Sequence, residues 1–319
     1  MLIVIEILIA GFLALNLLAY NHARTMMHYS GGGPRTPSPE RLTLGRKLDV
    51  LFFGINAPRP RVTGVSSSLE AGCQSLRIPC PGGIELGAWY CPVQNGSALC
   101  ILFHGYAGEK SSLLPEARAF QELGLSILLV DFRGSGESSE SYTTFGFDEA
   151  EDVAAAVRYA RENLSFSRLI LFGRSMGSAA ILRAVHSLGI KPDAVIVESV
   201  FDTMLNTVRN RFDSMGIPSF PGAELIVYWG GKQNGFSGFE HNPVDYAEAV
   251  SCPILFLHGS DDPRARVAEG RRVFAAVPAP KFFKEFPGTG HDPYLSRFPE
   301  DWKGTVGRFL QGNIEDQRL

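Results

Sequence analysis

Residues 169–180 read Leu-Ile-Leu-Phe-Gly-Arg-Ser-Met-Gly-Ser-Ala-Ala, and the change of pattern inside this stretch decides the fold. Leu169 to Phe172 are apolar without a break, as in a strand buried on both faces, and from Ser175 a helical pattern runs to Leu188. Between the two, Gly173-Arg-Ser-Met-Gly177 matches Gly-x-Ser-x-Gly. The turn this motif makes is so sharp that side chains at Gly173 and Gly177 are expected to collide with neighbouring backbone, while Ser175 is pushed out above the sheet. Its hydroxyl then stands at a helix N-terminus, where the dipole favours developing negative charge. The motif alone recurs by chance in glycine-rich turns; the strand before it and the helix after it make Ser175 a candidate nucleophile.

Working outward, Gln74 to Pro79 and Ile84 to Tyr90 flank Cys80-Pro-Gly-Gly83 and read as a β-hairpin. Further strands are expected at 99–103, 126–130, 194–197, 254–257 and 281–286, with helices such as 147–163 between them. A hairpin followed by buried strands and intervening helices argues for an α/β fold with a mostly parallel sheet covered on both faces. Chemistry in such a sheet belongs at the carboxyl ends of the strands.

A serine hydroxyl is a weak nucleophile near neutral pH, so a histidine must accept its proton and a carboxylate must orient that histidine. Of seven histidines, His22 and His28 belong to the N-terminal region, His186 lies on the helix after Ser175, and His241 sits in an irregular stretch. His104 and His258 each end a strand as His-Gly, a position suited to hydrogen bonding loop backbone. His291, in the loop Pro287-Gly-Thr-Gly-His-Asp after the last strand, is the candidate base. The acid is sought after the preceding strand, where Asp261 and Asp262 are adjacent, with Glu198 as a third candidate. The order Ser175, Asp, His291 suits a nucleophile elbow. The oxyanion of an acyl-transfer site needs backbone donors, here the N–H groups of Met176 and of Tyr106 in Phe103-His-Gly-Tyr-Ala-Gly108. Asp131-Phe-Arg-Gly-Ser-Gly-Glu lacks the third glycine of a phosphate loop and reads as a tight strand-to-helix turn.

On His104-Gly-Tyr-Ala-Gly, Asp131-Phe-Arg-Gly-Ser-Gly-Glu-Ser, Gly173-Arg-Ser-Met-Gly and His258-Gly-Ser-Asp-Asp with Gly290-His291, residues 74–312 resemble the α/β-hydrolase fold superfamily. Within it they are similar to the serine aminopeptidase-like and dienelactone hydrolase-like group of esterases, thioesterases and peptidases. The resemblance implies an eight-stranded, mostly parallel sheet with helices on both faces and a small cap at 200–250. It also implies Asp262 rather than Asp261 as the acid, because the acid of that group stands four residues after the His of the His-Gly pair. The same resemblance implies Tyr106 and Met176 as oxyanion donors. Pro263-Arg-Ala-Arg266 departs from the group's pattern in the acid loop. Phe201, Met204, Phe212, Met215 and Phe220 are candidates to line an acyl pocket, although such residues are more often simple core.

At the other end of the chain, residues 2–20 are apolar except for Glu6 and Asn16 and, at about 1.5 Å per residue, nearly cross a hydrocarbon core of about 30 Å. A single membrane anchor is expected over residues 1–23 and a Gly/Pro-rich linker over 24–41, with the hydrolase domain at 42–319. A cleaved signal peptide is the alternative, but no basic segment precedes the apolar run. Arg24, Arg35, Arg41, Arg46 and Lys47 follow the span, which predicts a cytoplasmic body with Cys73 and Cys80 as free thiols. An exported body would instead allow that pair to oxidise and Asn95-Gly-Ser to carry a glycan.

Thirty basic against thirty-three acidic side chains give a net charge of −3, which leaves no field to gather nucleic acid. Five cysteines without Cys-x-x-Cys spacing, and no His-x-x-x-His, point to neither metal nor cofactor. The expectation is therefore a membrane-tethered serine hydrolase of carboxylic ester, thioester or lipid acyl bonds. A peptidase of the same fold, or a silent hydrolase-fold binding module, is the alternative. The sequence does not give an oligomeric state.

Overall fold

The computed structural model describes residues 2–62, 72–94 and 96–314; Asn95, the candidate glycan acceptor, lies outside the described residues. Contacts divide the chain into two compact units, residues 1–59 with 203–242 and residues 60–202 with 243–319.

The N-terminal unit opens with α1 (Leu2–Met27), which runs past the apolar segment, and continues with α2 (Leu44–Phe53). The larger unit then supplies β1 (Gln74–Cys80), β2 (Ile84–Cys91), β3 (Ala98–Phe103), α3 (Leu114–Glu122), β4 (Ser126–Val130), α4 (Glu149–Asn163), β5 (Arg168–Arg174), α5 (Met176–Leu188) and β6 (Ala194–Glu198). Two helices of the N-terminal unit follow, α6 (Met204–Met215) and α7 (Gly222–Gln233). The larger unit closes with α8 (Pro243–Tyr246), β7 (Ile254–Gly259), α9 (Val267–Ala276), β8 (Lys281–Phe286), α10 (Tyr294–Arg297) and α11 (Pro299–Ile314).

Eight strands form one sheet in the order β1-β2-β4-β3-β5-β6-β7-β8. β1–β2 and β2–β4 pair antiparallel, and every later neighbour pairs parallel. The reason the central strands carry unbroken apolar runs is visible in the two cores. Leu99, Ile101 and Phe103 of β3 and Leu169 and Leu171 of β5 pack with α4 and α5 residues such as Val153 and Ile181. Their alternates, Cys100, Leu102, Ile170 and Phe172, pack on the other face with Phe120 of α3 and Trp302 of α11. Each face of a strand meets a helix layer, so both sets of alternating residues must be apolar.

One cysteine expectation fails. Cys73 is not a free thiol; it is bonded to Cys91. The hairpin register explains the partner: Gln74 pairs with Tyr90 and Cys80 with Ile84, so the residue before β1 faces the last residue of β2. Cys80, Cys100 and Cys252 remain free. The Cys80 thiol is pushed up to about 12 by burial and then by the neighbouring Asp152 carboxylate, which keeps it protonated at neutral pH.

Candidate active site

β5 hands over to α5 through a single residue, Ser175, whose backbone sits at φ 52° and ψ −111°. A non-glycine residue there is held against an intrinsic cost of about 1–3 kcal/mol. The holding contacts are specific: Ser175 N donates to the Glu198 carbonyl at 2.7 Å, and Ser178 Oγ donates to the Gly173 carbonyl at 2.7 Å. A Cβ on Gly173 would lie 2.6 Å from backbone of Gly177 and Ser178, and one on Gly177 would strike the carbonyls of Phe103 and, at 2.9 Å, His104. Both glycines are therefore demanded by close approach, as the sharp turn requires.

His291, in the loop after β8, reaches this serine. Its Nε2 lies 3.1 Å from Ser175 Oγ, and its Nδ1 lies 2.7 Å from Asp262 Oδ2. These distances suit a neutral ring that donates from Nδ1 to the carboxylate and accepts the serine proton at Nε2. The second oxygen, Asp262 Oδ1, accepts from the backbone N–H groups of Arg264 and Ala265 at 2.9 and 3.0 Å. The unusual Pro263-Arg-Ala-Arg266 segment thus closes as a turn around the carboxylate. Burial pushes the Asp262 carboxyl up, but the positive charge that His291 carries when protonated, its hydrogen bond and the two backbone donors outweigh that and hold it below the usual carboxylate value.

The other candidates are engaged elsewhere. Asp261 is exposed and accepts from the Ser260 hydroxyl at 2.7 Å. Glu198 faces Arg174 Nε at 2.7 Å and accepts from Trp302 Nε1 at 3.2 Å. His104 donates from Nδ1 to the Gly105 carbonyl at 2.8 Å and accepts the Phe132 N–H on Nε2 at 3.1 Å. His258 holds the Ala265 carbonyl through Nε2 at 2.7 Å. Burial keeps both rings below the ordinary histidine pKa, and each is bound to loop backbone.

Of the expected oxyanion donors, Met176 is the first residue of α5, so its N–H belongs to the helix turn that has no intrahelical acceptor. Gly105, just before Tyr106, packs against the elbow: a Cβ on it would lie 3.6 Å from Ser175 Cβ. The Tyr106 ring stacks on Phe145 with centroids 4.5 Å apart. Among the residues suggested for an acyl pocket, Phe201 is buried with Ala179 and Ala265, Met204, Phe212 and Met215 are buried, and Phe220 is 75% exposed.

Two supporting groups escaped the sequence reading. Arg174, the variable residue of the elbow, is clamped between Glu198 and Glu116 of α3. Burial opposes its charge, and the two carboxylates more than offset that. Tyr294 Oη accepts the Gly259 N–H at 2.7 Å and lies 2.6 Å from Ser199 Oγ, tying the loops after β6, β7 and β8 together. The Tyr after Gly-His-Asp-Pro was the one available signal; Glu116 had none.

The sheet order, the strand–elbow–helix passage and the helices on both faces give this chain the α/β-hydrolase fold. Residues 94–201 match the family described as serine aminopeptidase, S33. An uncharacterised protein of Mycobacterium tuberculosis is 29% identical over 77% of this chain and 81% of its own length. The lysophosphatidylserine lipase of Macaca fascicularis is 24% identical over 62% of this chain, which spans 50% of that enzyme. Among solved structures, an esterase of Pyrococcus furiosus superposes with a TM-score of 0.66 at 21% identity, covering 80% of this chain and 98% of that one.

Proposed function

We propose that the chain is a serine hydrolase that cleaves carboxylic ester, thioester or lipid acyl bonds. The observation that carries this reading is the single imidazole of His291 set between the Ser175 hydroxyl and the buried Asp262 carboxylate. In the proposed cycle Ser175 Oγ attacks the substrate carbonyl while His291 Nε2 takes its proton, and Asp262 stabilises the imidazolium without taking a proton itself. The carbonyl oxygen gathers negative charge at the N–H groups of Met176 and Tyr106. His291 then protonates the leaving alcohol or thiol, and a water, deprotonated by the same ring, releases the acid from the acyl-enzyme.

Ester and thioester substrates are favoured over amides because the similar proteins with a named activity include an esterase and a lysophospholipid lipase. The peptidase reading draws on the matched family's description. Labelling with a fluorophosphonate, followed by a panel of acyl-chain esters, thioesters and aminoacyl amides, tests both. Faster turnover of aminoacyl amides than of any ester would replace the ester reading, and absence of labelling on folded protein would favour a silent binding module.

We also propose that α1 is a retained membrane anchor, supported by its 26 residues and its exposed apolar side chains. For the side on which the body lies, the basic residues after the span support the cytoplasm, whereas the Cys73–Cys91 bond supports an oxidising compartment. The bond weighs more, since a flank only biases insertion while a disulfide needs an oxidant to form.

A further inference from the structure

The N-terminal unit leaves large apolar side chains uncovered well beyond α1. On α2, Leu44, Leu48 and Phe52 follow one another at i, i+4 and i+8 and are 78%, 52% and 52% exposed, and Phe53 at the helix end is 75% exposed. Neighbouring stripes of the same helix differ: Val50 is buried with Leu42 and Met215, Lys47 Nζ donates to the Met215 carbonyl at 2.8 Å, and exposed Arg46 and Asp49 approach each other at 3.8 Å. The apolar stripe is thus neither core nor the polar surface a soluble helix presents to water.

Where this stripe sits along α1 identifies its occupant. Asn21 Nδ2 donates to the Phe53 carbonyl at 3.1 Å, and Thr25 Oγ1 accepts the Ile55 N–H at 3.2 Å. The end of α2 is therefore fastened just past Tyr20, where the apolar segment stops. α7 joins α1 at the same level: Trp229 Nε1 donates to Asn16 Oδ1 at 3.1 Å, Gln233 Nε2 donates to the Tyr20 carbonyl at 2.9 Å, and the Tyr20 and Trp229 rings meet edge to face at 5.4 Å. Residues 2–14 of α1 are exposed on all sides, and at 1.5 Å each they measure about 20 Å, short of the roughly 30 Å of a hydrocarbon core. If α1 crosses the bilayer, residues 15–20 must also lie at membrane depth, and whatever is fastened beside them lies at the interface. Tyr20, Tyr228 and Trp229 supply the aromatic residues suited to that layer, and Arg41 and Arg46 supply cations for anionic headgroups.

We propose that α2 is an interfacial helix, with Leu44, Leu48, Phe52 and Phe53 inserted into the bilayer that α1 enters and Arg41 and Arg46 against its phosphates. The proposal rests on the anchor reading of α1. It makes the N-terminal unit a platform lying in the membrane surface, where α1 alone would be only a tether. Interfacial binding of this kind combines buried apolar area with attraction to anionic lipid.

The test uses the full-length protein in vesicles of phosphatidylcholine and phosphatidylglycerol, in a Cys252→Ser background that leaves the buried Cys80 and Cys100 unreactive. An environment-sensitive fluorophore is placed in turn at Leu44→Cys, Leu48→Cys and Phe52→Cys on the stripe, at Asp49→Cys on the polar side, and at Leu8→Cys within the anchor. All five positions are exposed, so the substitutions remove little packing. The expected result is quenching by doxyl-labelled lipid several-fold stronger at 8, 44, 48 and 52 than at 49, with aqueous iodide reaching only 49. Iodide quenching at 44, 48 and 52 equal to that at 49, with 8 still quenched by lipid, would overturn the interfacial helix and leave the anchor. Iodide quenching at 8 would overturn the anchor reading first. Shielding of the stripe from both quenchers would also overturn the proposal, showing that protein, such as a second copy of this chain, covers it.

Discussion

In β3, β4, β6 and β7 every residue is buried, whereas α1 and α2 carry Leu8, Phe12, Leu48 and Phe53 facing outward. Both regions are apolar in sequence, and they differ in what covers them. The body's strands are enclosed by two helix layers of the same unit, so its apolar pattern is satisfied internally. The N-terminal unit leaves its apolar stripes on α1 and α2 uncovered by its own residues. On the anchor and interfacial-helix proposals, lipid is what covers them.

The sharpest way to break this division is to disable the chemistry alone. Ser175→Ala should lower kcat for a p-nitrophenyl ester by about 10⁴- to 10⁶-fold, while thermal unfolding and sedimentation with membranes stay as in the parent. Retained turnover in pure protein would remove Ser175 from the mechanism. Asp262→Asn should cost about 10⁴-fold because an amide favours the wrong tautomer of His291. Asp261→Asn, on an exposed side chain, should cost little; the reverse ranking would reassign the acid.

A second perturbation tests whether the body's polar interior is as self-contained as its apolar one. Arg174→Met leaves Glu116 and Glu198 buried without their shared cation, an arrangement that typically costs about 3–5 kcal/mol. Urea unfolding should show that loss, with kcat reduced because Glu198 also accepts the Ser175 N–H. A loss below 1 kcal/mol would show that the two carboxylates do not depend on Arg174 for their burial. Cys73→Ser should cost about 3 kcal/mol, the value for opening a loop of 18 residues. Protein isolated from its native cells should resist alkylation at Cys73 and Cys91 until reduced; alkylation without reductant would favour a cytoplasmic body.

These features differ in how openly the sequence carried them. The strands were legible because burial on both faces leaves an unbroken apolar run, and the helices expected at 147–163 and 175–188 stand at Glu149–Asn163 and Met176–Leu188. The elbow was legible because its glycines are dictated by backbone contact at fixed spacing. Cys73 and Cys91 lie nine residues either side of Gly82, at the centre of the hairpin connection, so their pairing was implicit in a turn already recognised. It was missed because the cysteines were compared along the chain and not across the hairpin. The Glu116–Arg174–Glu198–Trp302 cluster could not be read, since its members come from four elements whose meeting depends on the whole sheet. In the N-terminal unit the apolar span was plain, but α2 begins on a Thr-Leu-Gly-Arg-Lys stretch just past the expected linker, and its exposed stripe has no two-sided core to announce it.

The smallest expected effect concerns acid. His104 and His258 are neutral in the folded body, their pKa values lowered by burial, which for His104 outweighs the pull of Asp131 and of the Gly105 carbonyl and for His258 that of the Ala265 carbonyl. In the unfolded chain both rings take up protons below about pH 6.5, so the unfolded state then binds more protons than the folded one. Their stabilising contribution is complete above that pH and is lost as pH falls toward the folded-state pKa values, at about 1.4 kcal/mol per pH unit for each ring. Asp262, held below its usual value, adds a further loss only at more acid pH, below about 3.8 and through its lowered folded pKa. The Asp152 carboxyl, raised to about 6 chiefly by burial, pulls the other way over the same range, so the readout is the difference between parent and variant. In urea unfolding between pH 8 and pH 5, His104→Asn should remove a declining component of about 1.4 kcal/mol per pH unit below neutrality. The substitution also removes the acceptor for the Phe132 N–H, so the variant should be less stable at pH 8 yet approach the parent as pH falls. Parallel curves for parent and variant would show that His104 titrates alike in both states, and that the body's interior is wetter at this strand end than its complete burial implies.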